Sequence, residues 1–272
     1  MRTILVAILL AAPLSADSVA VISDGTRLVE GAVAISPVDS RYMLAAAIGG
    51  TGAPNADVHL FRSADGGRTW TAVGELPHEI EGEVVIGHWD PVLAYDRMGR
   101  AYIAVVAALS MERWRIAIYR SDDHGLTWSG TDAAAPSVSR NDKPWIAIGE
   151  DGAIHAAWYQ LHAGANGMAY AVSGDRGVTF SEPRLFPALG WPGIAVGPDS
   201  DVYLTYLVDF DSFGLKRSAD GGVVFGEERR IPPAAGPFPH QLVADVSNGR
   251  YRGHLYAFVP TPDGVFFSRS LD

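Results

Sequence analysis

The chain has 272 residues, 21 Lys+Arg against 31 Asp+Glu, a formal net charge of −10 and no cysteine. Its 48% hydrophobic content is typical of a globular protein and argues against a disordered or fibrous one. An acidic chain whose lysines are Lys143 and Lys216 offers no basic stripe for nucleic acid or an anionic membrane, so we expect neither partner. The lack of cysteine excludes disulfides, thiol nucleophiles and cysteine zinc sites.

Residues 1–16 have the pattern of a secretory signal peptide. Arg2 supplies the charged start, residues 4–12 are apolar, and small residues precede a predicted cleavage before Asp17. The alternative is a buried first strand. No later run reaches the ~18 apolar residues that a membrane helix requires, so we expect no membrane insertion. The sequence therefore predicts a secreted or periplasmic protein with one domain at 17–272, and it leaves the oligomeric state open.

A repeated motif is the strongest signal in the chain. The pattern Ser-x-Asp-x-Gly-x-Thr-aromatic begins at Ser63 and recurs at Ser121, Ser173 and, without its threonine, Ser218. A fifth copy begins at Ser270. The copies lie roughly 50 residues apart, a span that suits four short strands and their turns, as in one propeller blade.

Each motif is predicted to form a hairpin turn with a structural role. The serine hydroxyl and the aspartate carboxylate can accept bonds from turn amides, the glycine permits positive φ, and the aromatic residue packs inward as the next strand begins. The residues assigned to these turns are Ser63, Asp65, Gly67, Trp70, Ser121, Asp123, Gly125, Trp128, Ser173, Asp175, Gly177, Phe180, Ser218, Asp220, Gly222 and Phe225.

The predicted strands follow the repeat along the chain. The first repeat covers 33–71 and the fifth begins at 242. Strands are expected at 92–95, 101–107, 115–121 and from 128 in the second repeat, at 145–149, 155–159, 168–173 and 180–186 in the third, and at 194–197, 202–207, 214–218 and 225–231 in the fourth. No segment after residue 16 has a helical period. We therefore predict an all-β propeller of five four-stranded blades.

The fifth repeat has three strands before the chain ends. The β-prone residues 19–22 could pair beside residues 264–270 as the missing outer strand and close the ring, which removes exposed sheet edges. The alternative is a fragment of a six-bladed propeller.

The four motifs resemble the Asp-box, or BNR, repeats of the sialidase superfamily of β-propellers. Segments 141–147 and 151–155 are similar to those of exported bacterial sialidase-like proteins. The resemblance implies a propeller fold and activity of the glycoside hydrolase type. Sialidases hold the substrate carboxylate with three arginines, use a tyrosine activated by glutamate as nucleophile and an aspartate as acid/base, and carry the first arginine in an Arg-Ile-Pro motif on the first inner strand.

This chain departs from that motif. Glu30 stands where the first arginine is expected, and the Arg-Ile-Pro sequence at 230–232 falls on a predicted outer strand. Glutamate cannot replace the bidentate contacts of a guanidinium to a carboxylate. The sequence therefore predicts that cleavage of simple sialosides is absent or feeble.

The blade-entry connections are expected to converge at the axis, on the face opposite the motif turns. They bring together carboxylates, cations, indoles and imidazoles, a combination that suits the apolar faces and hydroxyls of a sugar. The predicted catalytic pair is Asp90 and Asp142. The predicted substrate-binding residues are Glu30, Trp89, Arg113, Arg140, Lys143, Trp191 and His240. The alternative is structural: both indoles plug blade interfaces and both aspartates cap turns.

Three classes of function fit these features. The first is a glycoside hydrolase, which requires two carboxylates about 5 to 9 Å apart. The others are a non-catalytic glycan- or protein-binding propeller and a structural or assembly factor. A glycan or glycoconjugate is the expected ligand, and we expect no cofactor and no metal site.

Overall fold

The computed structural model describes residues 27–50, 56–134, 140–161, 166–209, 212–231, 241–261 and 264–270. The predicted signal peptide, the proposed closing stretch 19–22 and His240 lie outside these residues and stay predictions. Within the described segments, no helix is long and apolar enough to cross a membrane.

Five antiparallel sheets follow one another along the chain as the blades of a propeller. Blade 1 contains β1 (Val29–Ile35), β2 (Met43–Gly49), β3 (Asp57–Ser63) and β4 (Thr71–Ala72). A small hairpin, β5 (Glu79–Ile80) and β6 (Glu83–Val84), leads to blade 2, which contains β7 (Gly87–Tyr95), β8 (Ala101–Ser110), β9 (Arg113–Ser121) and β10 (Ser129–Asp132).

The same order of strands continues through the second half. Blade 3 contains β11 (Arg140–Ile148), β12 (Ile154–Leu161), β13 (Gly167–Ser173) and β14 (Arg184–Pro187). Blade 4 contains β15 (Gly190–Val196), β16 (Val202–Asp209), β17 (Ser212–Ser218) and β18 (Arg229–Ile231), and blade 5 contains β19 (Gln241–Ala244), β20 (Leu255–Thr261) and β21 (Gly264–Arg269). The prediction of a five-bladed, all-β propeller is confirmed.

The core lies between neighbouring blades. Val58 and Leu60 of β3 pack against Ile103 and Val105 of β8, and comparable apolar clusters join blades 2 and 3 and blades 3 and 4. Strand β8 is buried over residues 101–108 because it lies in the middle of its sheet with a blade on each side. This packing holds each of these blades against its neighbour and so fixes the positions of their innermost strands.

The innermost strands begin earlier than predicted. Strands β7, β11 and β15 start at 87, 140 and 190, where the sequence predicted 92, 145 and 194. The difference arises at Pro91, Pro144 and Pro192, because a proline has no N–H for a strand ladder and its sequence pattern therefore predicts the edge of a strand. Each proline lies in a β-bulge, where the pairing register shifts and a missing N–H is tolerated. The outer strands β14 and β18 begin at 184 and 229, where the sequence predicted 180 and 225. The β5–β6 hairpin was not predicted.

The Ser/Asp turns connect the third and fourth strands of blades 1 to 4. In blade 2 the Ser121 hydroxyl lies 2.7 Å from Asp123 Oδ1 and accepts a 2.7 Å bond from the Gly125 amide. Asp123 also accepts bonds from the Thr127 amide (2.9 Å) and hydroxyl (2.6 Å). Gly125 has φ of +88°, and a Cβ there would approach Leu44 of blade 1 to 2.5 Å, so the turn requires glycine.

Candidate functional site

Strands β1, β7, β11 and β15 each contain a β-bulge that places one residue in the same unusual backbone conformation. Glu30, Asp90, Lys143 and Trp191 have φ of 53°, 52°, 49° and 35°, although none is glycine. Each is the first bulged residue of an innermost strand. Non-glycine residues with positive φ are costly, and bulges of this kind redirect side chains at functional sites. The fold thus aims four equivalent side chains toward the axis.

These four side chains line one cavity. It has a volume of about 680 Å³ and is bordered by residues from the innermost strands of all five blades. Besides the four bulged residues, its wall includes Trp145 and Gln241, which the sequence did not predict as site residues. The volume lies within the range of small-molecule sites.

Lys143 and three carboxyl groups, those of Glu30, Asp90 and Asp142, form one hydrogen-bonded cluster at the cavity. Lys143 Nζ donates to Asp90 Oδ1 at 2.9 Å and to both carboxylate oxygens of Glu30 at 3.2 Å. Asp90 is hydrogen-bonded to Glu30 on one side and to Asp142 on the other. The Asp90 side chain is 11% exposed and that of Glu30 is 46% exposed, so Glu30 is the more accessible carboxyl group.

Glu30 and Asp142 keep their protons to a higher pH than an ordinary carboxyl group does. The hydrogen bond from Glu30 to Asp90, together with burial and the Asp90 charge, raises the pKa of Glu30 to about 7. Burial and the bond to Asp90 raise the pKa of Asp142 to about 7. Carboxyl groups that share one site cannot all ionise, because each charge disfavours the next.

Asp90 is the group that carries the negative charge. Burial opposes its ionisation, but the hydrogen bonds from Glu30 and Asp142 and the Lys143 ammonium outweigh burial and lower its pKa. Burial also opposes the charge on Lys143, yet the attraction of Asp90 and Glu30 raises the Lys143 pKa. Below pH 7 the site therefore contains one carboxylate, one ammonium and two neutral acids.

An indole forms the wall beside this polar centre. Lys143 Nζ lies 5.4 Å from the centroid of the Trp191 ring, a cation–π arrangement that keeps the ammonium beside the aromatic face. Trp191 is partly exposed and borders the cavity. A ligand in the cavity therefore meets an aromatic surface next to charged and hydrogen-bonding groups.

The structure places other predicted residues elsewhere. The Trp89 indole lies outside the cavity lining, packs edge-on against Trp114 and donates to the Ala56 carbonyl at 3.2 Å. Arg113 pairs with Glu83 at 2.9 Å, and Arg140 pairs with Glu112. Asp142 contacts Asp90 but is not among the lining residues.

Lys143 is the basic residue among the described residues that line the cavity, and no arginine is among them. Arg230, from the Arg-Ile-Pro sequence, lies on β18, the outer strand of blade 4, where it contacts Asp209 and lies 3.1 Å from Ser212 Oγ. In the described residues, the axial cavity therefore offers no guanidinium for a substrate carboxylate.

No family model matches the chain, and neither does any curated protein. Several solved structures do match the chain in fold. An α-L-arabinanase of Penicillium chrysogenum, complexed with arabinobiose, superposes with a TM-score of 0.66 at 15% identity, covering 89% of this chain and 78% of the arabinanase.

Two further structures show the same likeness. The Hadza microbial sialidase Hz136 gives a TM-score of 0.64 at 16% identity over 90% of this chain and 52% of its own length. A family 117 glycoside hydrolase of Zobellia galactanivorans gives 0.55 at 13% identity over 89% of this chain and 83% of its own. The chain thus spans about half of that sialidase. At these identities the likeness establishes the fold, and this chain shares the β-propeller fold of sialidases, an arabinanase and a family 117 glycoside hydrolase.

Proposed function

We propose that the axial cavity binds an uncharged glycan and hydrolyses a glycosidic bond in it. The observation that carries this proposal is the carboxyl group set in the cavity: a neutral acid, Glu30, in contact with an ionised carboxylate, Asp90. Glycoside hydrolysis needs one carboxyl group that gives a proton and a second that carries charge. The solved neighbours named as glycoside-acting enzymes support the choice of substrate class.

Glu30 is the proposed general acid. Its pKa of about 7 leaves about half of it protonated at pH 7, and its half-exposed side chain borders the cavity. It donates its proton to the glycosidic oxygen as the bond to the anomeric carbon breaks. Asp90, with its pKa lowered, supports the positive charge that develops at that carbon. Water then attacks the carbon and gives its proton to the Glu30 carboxylate, which restores the starting state.

Asp142 is proposed as a positioning residue. The sequence assigned it to the catalytic pair, but its contact is with Asp90 and it does not line the cavity. As a neutral acid it donates a hydrogen bond to the Asp90 carboxylate and thereby helps to hold the charge there.

The contact between Glu30 and Asp90 sets a condition on the mechanism. Catalytic carboxyl groups flank the bond at about 5 Å or more, whereas these two are hydrogen-bonded to each other. A bound sugar must therefore part them. Lys143 contacts both groups, but Glu30 is the one that can move, because its side chain is longer and 46% exposed whereas that of Asp90 is 11% exposed and is also held by Asp142.

An uncharged sugar fits the balance of charge. Below pH 7 the Asp90 carboxylate is matched by the Lys143 ammonium, which leaves no excess positive charge for an acidic sugar. Trp191 supplies an apolar face for the C–H side of a pyranose or furanose ring.

The test is a combined screen for glycan binding and product release. Purified protein is applied to an array of neutral and sialylated glycans, and arabino-oligosaccharides and aryl glycosides are assayed for reducing ends. We expect binding and turnover with neutral glycans and little or no release of sialic acid. Robust release of sialic acid, or no binding to any neutral glycan, would overturn the proposal.

Glycan binding without hydrolysis is the second candidate. The observation that favours it is the same contact between carboxyl groups, because a site that never parts Glu30 from Asp90 binds but does not cleave. Array binding with no product over long incubation would select this function.

A further inference from the structure

A second cluster of chemically active side chains lies at the junction of blades 1 and 2. Asp57 begins β3, His88 is near the start of β7, and His78 precedes β5. One ligand atom from each lies within 4.8 Å of the other two. Asp57 Oδ1 is 2.9 Å from His88 Nδ1, and Asp57 Oδ2 is 2.9 Å from His78 Nε2. Two imidazoles thus converge on one carboxylate.

Each imidazole is also held at its other nitrogen. His78 Nδ1 lies 2.9 Å from the Val85 carbonyl oxygen, and His88 Nε2 lies 3.0 Å from Tyr119 Oη. The Tyr119 hydroxyl itself donates to the Pro77 carbonyl at 3.1 Å. Histidines that bind metals are held in this way, with one nitrogen fixed by an outer partner and the other directed at the ion.

The outer partners indicate which nitrogen of each ring is directed at an ion. The Val85 carbonyl can only accept, so His78 Nδ1 carries a proton, and a neutral ring then turns the Nε2 lone pair toward Asp57 Oδ2, which also only accepts.

The same reasoning applies to His88. His88 Nε2 lies 3.0 Å from Tyr119 Oη and Nδ1 lies 2.9 Å from Asp57 Oδ1, so in the tautomer in which Nε2 donates to the tyrosine oxygen, the Nδ1 lone pair faces the carboxylate. The ring centroids of His78 and His88 are 5.2 Å apart, so both imidazoles can reach one ion beside Asp57. One divalent cation placed among these three ligand atoms would be bound by both imidazoles and by the carboxylate.

We propose that Asp57, His78 and His88 bind a divalent transition-metal ion, zinc being the ion that this ligand set suits. Zinc accepts histidine nitrogen and carboxylate oxygen in four-coordinate sites. Glu75 is placed to complete the coordination, because its exposed carboxylate lies 3.9 Å from His78 Nε2. The site is separate from the axial cavity. It joins blade 1, the β5–β6 hairpin and blade 2, and His88 is two residues before Asp90.

The test is zinc binding by the full chain. Protein stripped with EDTA is titrated with ZnCl2 by calorimetry, and CoCl2 is used as a spectroscopic probe of the ligand field. We expect one equivalent bound, a rise in the unfolding midpoint with zinc, and visible d–d absorption with cobalt. His78→Ala should weaken zinc binding at least about 10-fold, since even outer partners of metal ligands have effects of that size.

His59→Ala is the matched control, because His59 is an exposed histidine two residues along β3 from Asp57. It should leave zinc affinity unchanged. His78 lies outside the strands and is half-exposed, so its replacement should keep the fold, and far-UV circular dichroism checks this. Should His78→Ala unfold, Asp57→Asn takes its place. Failure of the wild type to bind one equivalent, or equal zinc affinity in the folded variant, would overturn the proposal.

Discussion

Backbone conformation at single residues determines the chemistry of the axial cavity. At Glu30, Asp90 and Lys143 a positive φ turns the side chain out of the strand alternation and toward the centre. Such conformations cost free energy, which the surrounding sheet pairing provides. Side chains from three different blades are thereby brought within hydrogen-bond distance of one another.

The aromatic wall gives a prediction for ligand binding. Trp191→Ala should weaken binding of a neutral glycan by about 3- to 10-fold, because a stacking contact of this kind contributes roughly 0.5–1.5 kcal/mol. Isothermal titration measures the affinity. Trp89→Phe is the control, since Trp89 lies outside the cavity lining and should leave affinity unchanged. A larger effect at Trp89 than at Trp191 would contradict this assignment.

The raised pKa of Asp142 gives a prediction for stability. Its folded-state pKa of about 7 exceeds the ordinary value of 3.8, so the proton stabilises the fold fully below about pH 4 and this stabilisation is lost as pH rises through 7. Asp142→Asn mimics the protonated group at every pH. The free energy of unfolding of the variant, relative to wild type, should therefore rise by about 2 kcal/mol between pH 5 and pH 8.

Urea denaturation at the two pH values measures this difference. Asp65→Asn is the control: the hydrogen bonds of its turn hold the pKa of Asp65 at about 2, so it is charged at both pH values and its difference from wild type should not change between them. If the difference between Asp142→Asn and wild type were the same at both values, the protonated pair between Asp90 and Asp142 would be excluded.

At the scale of the element, the Ser/Asp turns repeat one hydrogen-bonded unit with graded completeness. The turn of blade 2 uses both the amide and the hydroxyl of Thr127 on Asp123. In blade 4 valine replaces the threonine, and Asp220 keeps the Val224 amide at 2.9 Å. The fourth turn therefore lacks the hydroxyl hydrogen bond that the second turn has.

Removing the carboxylate should show this gradation. Asp123→Ala should lower the free energy of unfolding by about 1 kcal/mol, at the low end for lost hydrogen bonds because the turn is solvated. Asp220→Ala should have a smaller effect. Thermal midpoints of both variants are compared with wild type, and a greater loss at Asp220 would show that the threonine bond does not contribute as described.

The elements also show what the sequence could predict. The Ser/Asp motifs are local, so their residues alone located the turns after Ser63, Ser121, Ser173 and Ser218, and their spacing predicted the blades. The bulges were missed because a proline looks like the end of a strand until its partner strand is known. The cluster of Asp57, His78 and His88 was missed because residues with no fixed spacing meet only when two blades pack.

At the scale of the whole molecule, the innermost strands of five blades surround one cavity. In the turns that follow the innermost strands, ion pairs join three of the blades. Glu150, after β11, pairs with Arg97 of blade 2 at 2.5 Å and with Arg252 of blade 5 at 3.2 Å. Blade 5 presents an apolar outer strand, with Val265 71% and Phe267 57% exposed.

These exposed residues support the prediction that residues 19–22 pair beside β21. Neighbouring N–H groups of a strand paired on one side alternate toward and away from the partner. Of the two variants Ala20→Pro and Val21→Pro, one should therefore lose a ladder hydrogen bond and unfold at lower temperature. Two variants that both unfold at the wild-type midpoint would contradict closure by this stretch.

The central claim, that Glu30 and Asp90 form the catalytic pair, is tested most directly by kcat/KM for a neutral glycan substrate in Glu30→Gln and Asp90→Asn. Each amide keeps the shape of the side chain but cannot transfer the proton or carry the charge. With Asp199→Asn as control, we predict a loss of at least about 100-fold in both variants with glycan binding retained. Wild-type turnover in both variants would remove the two carboxyl groups from the mechanism.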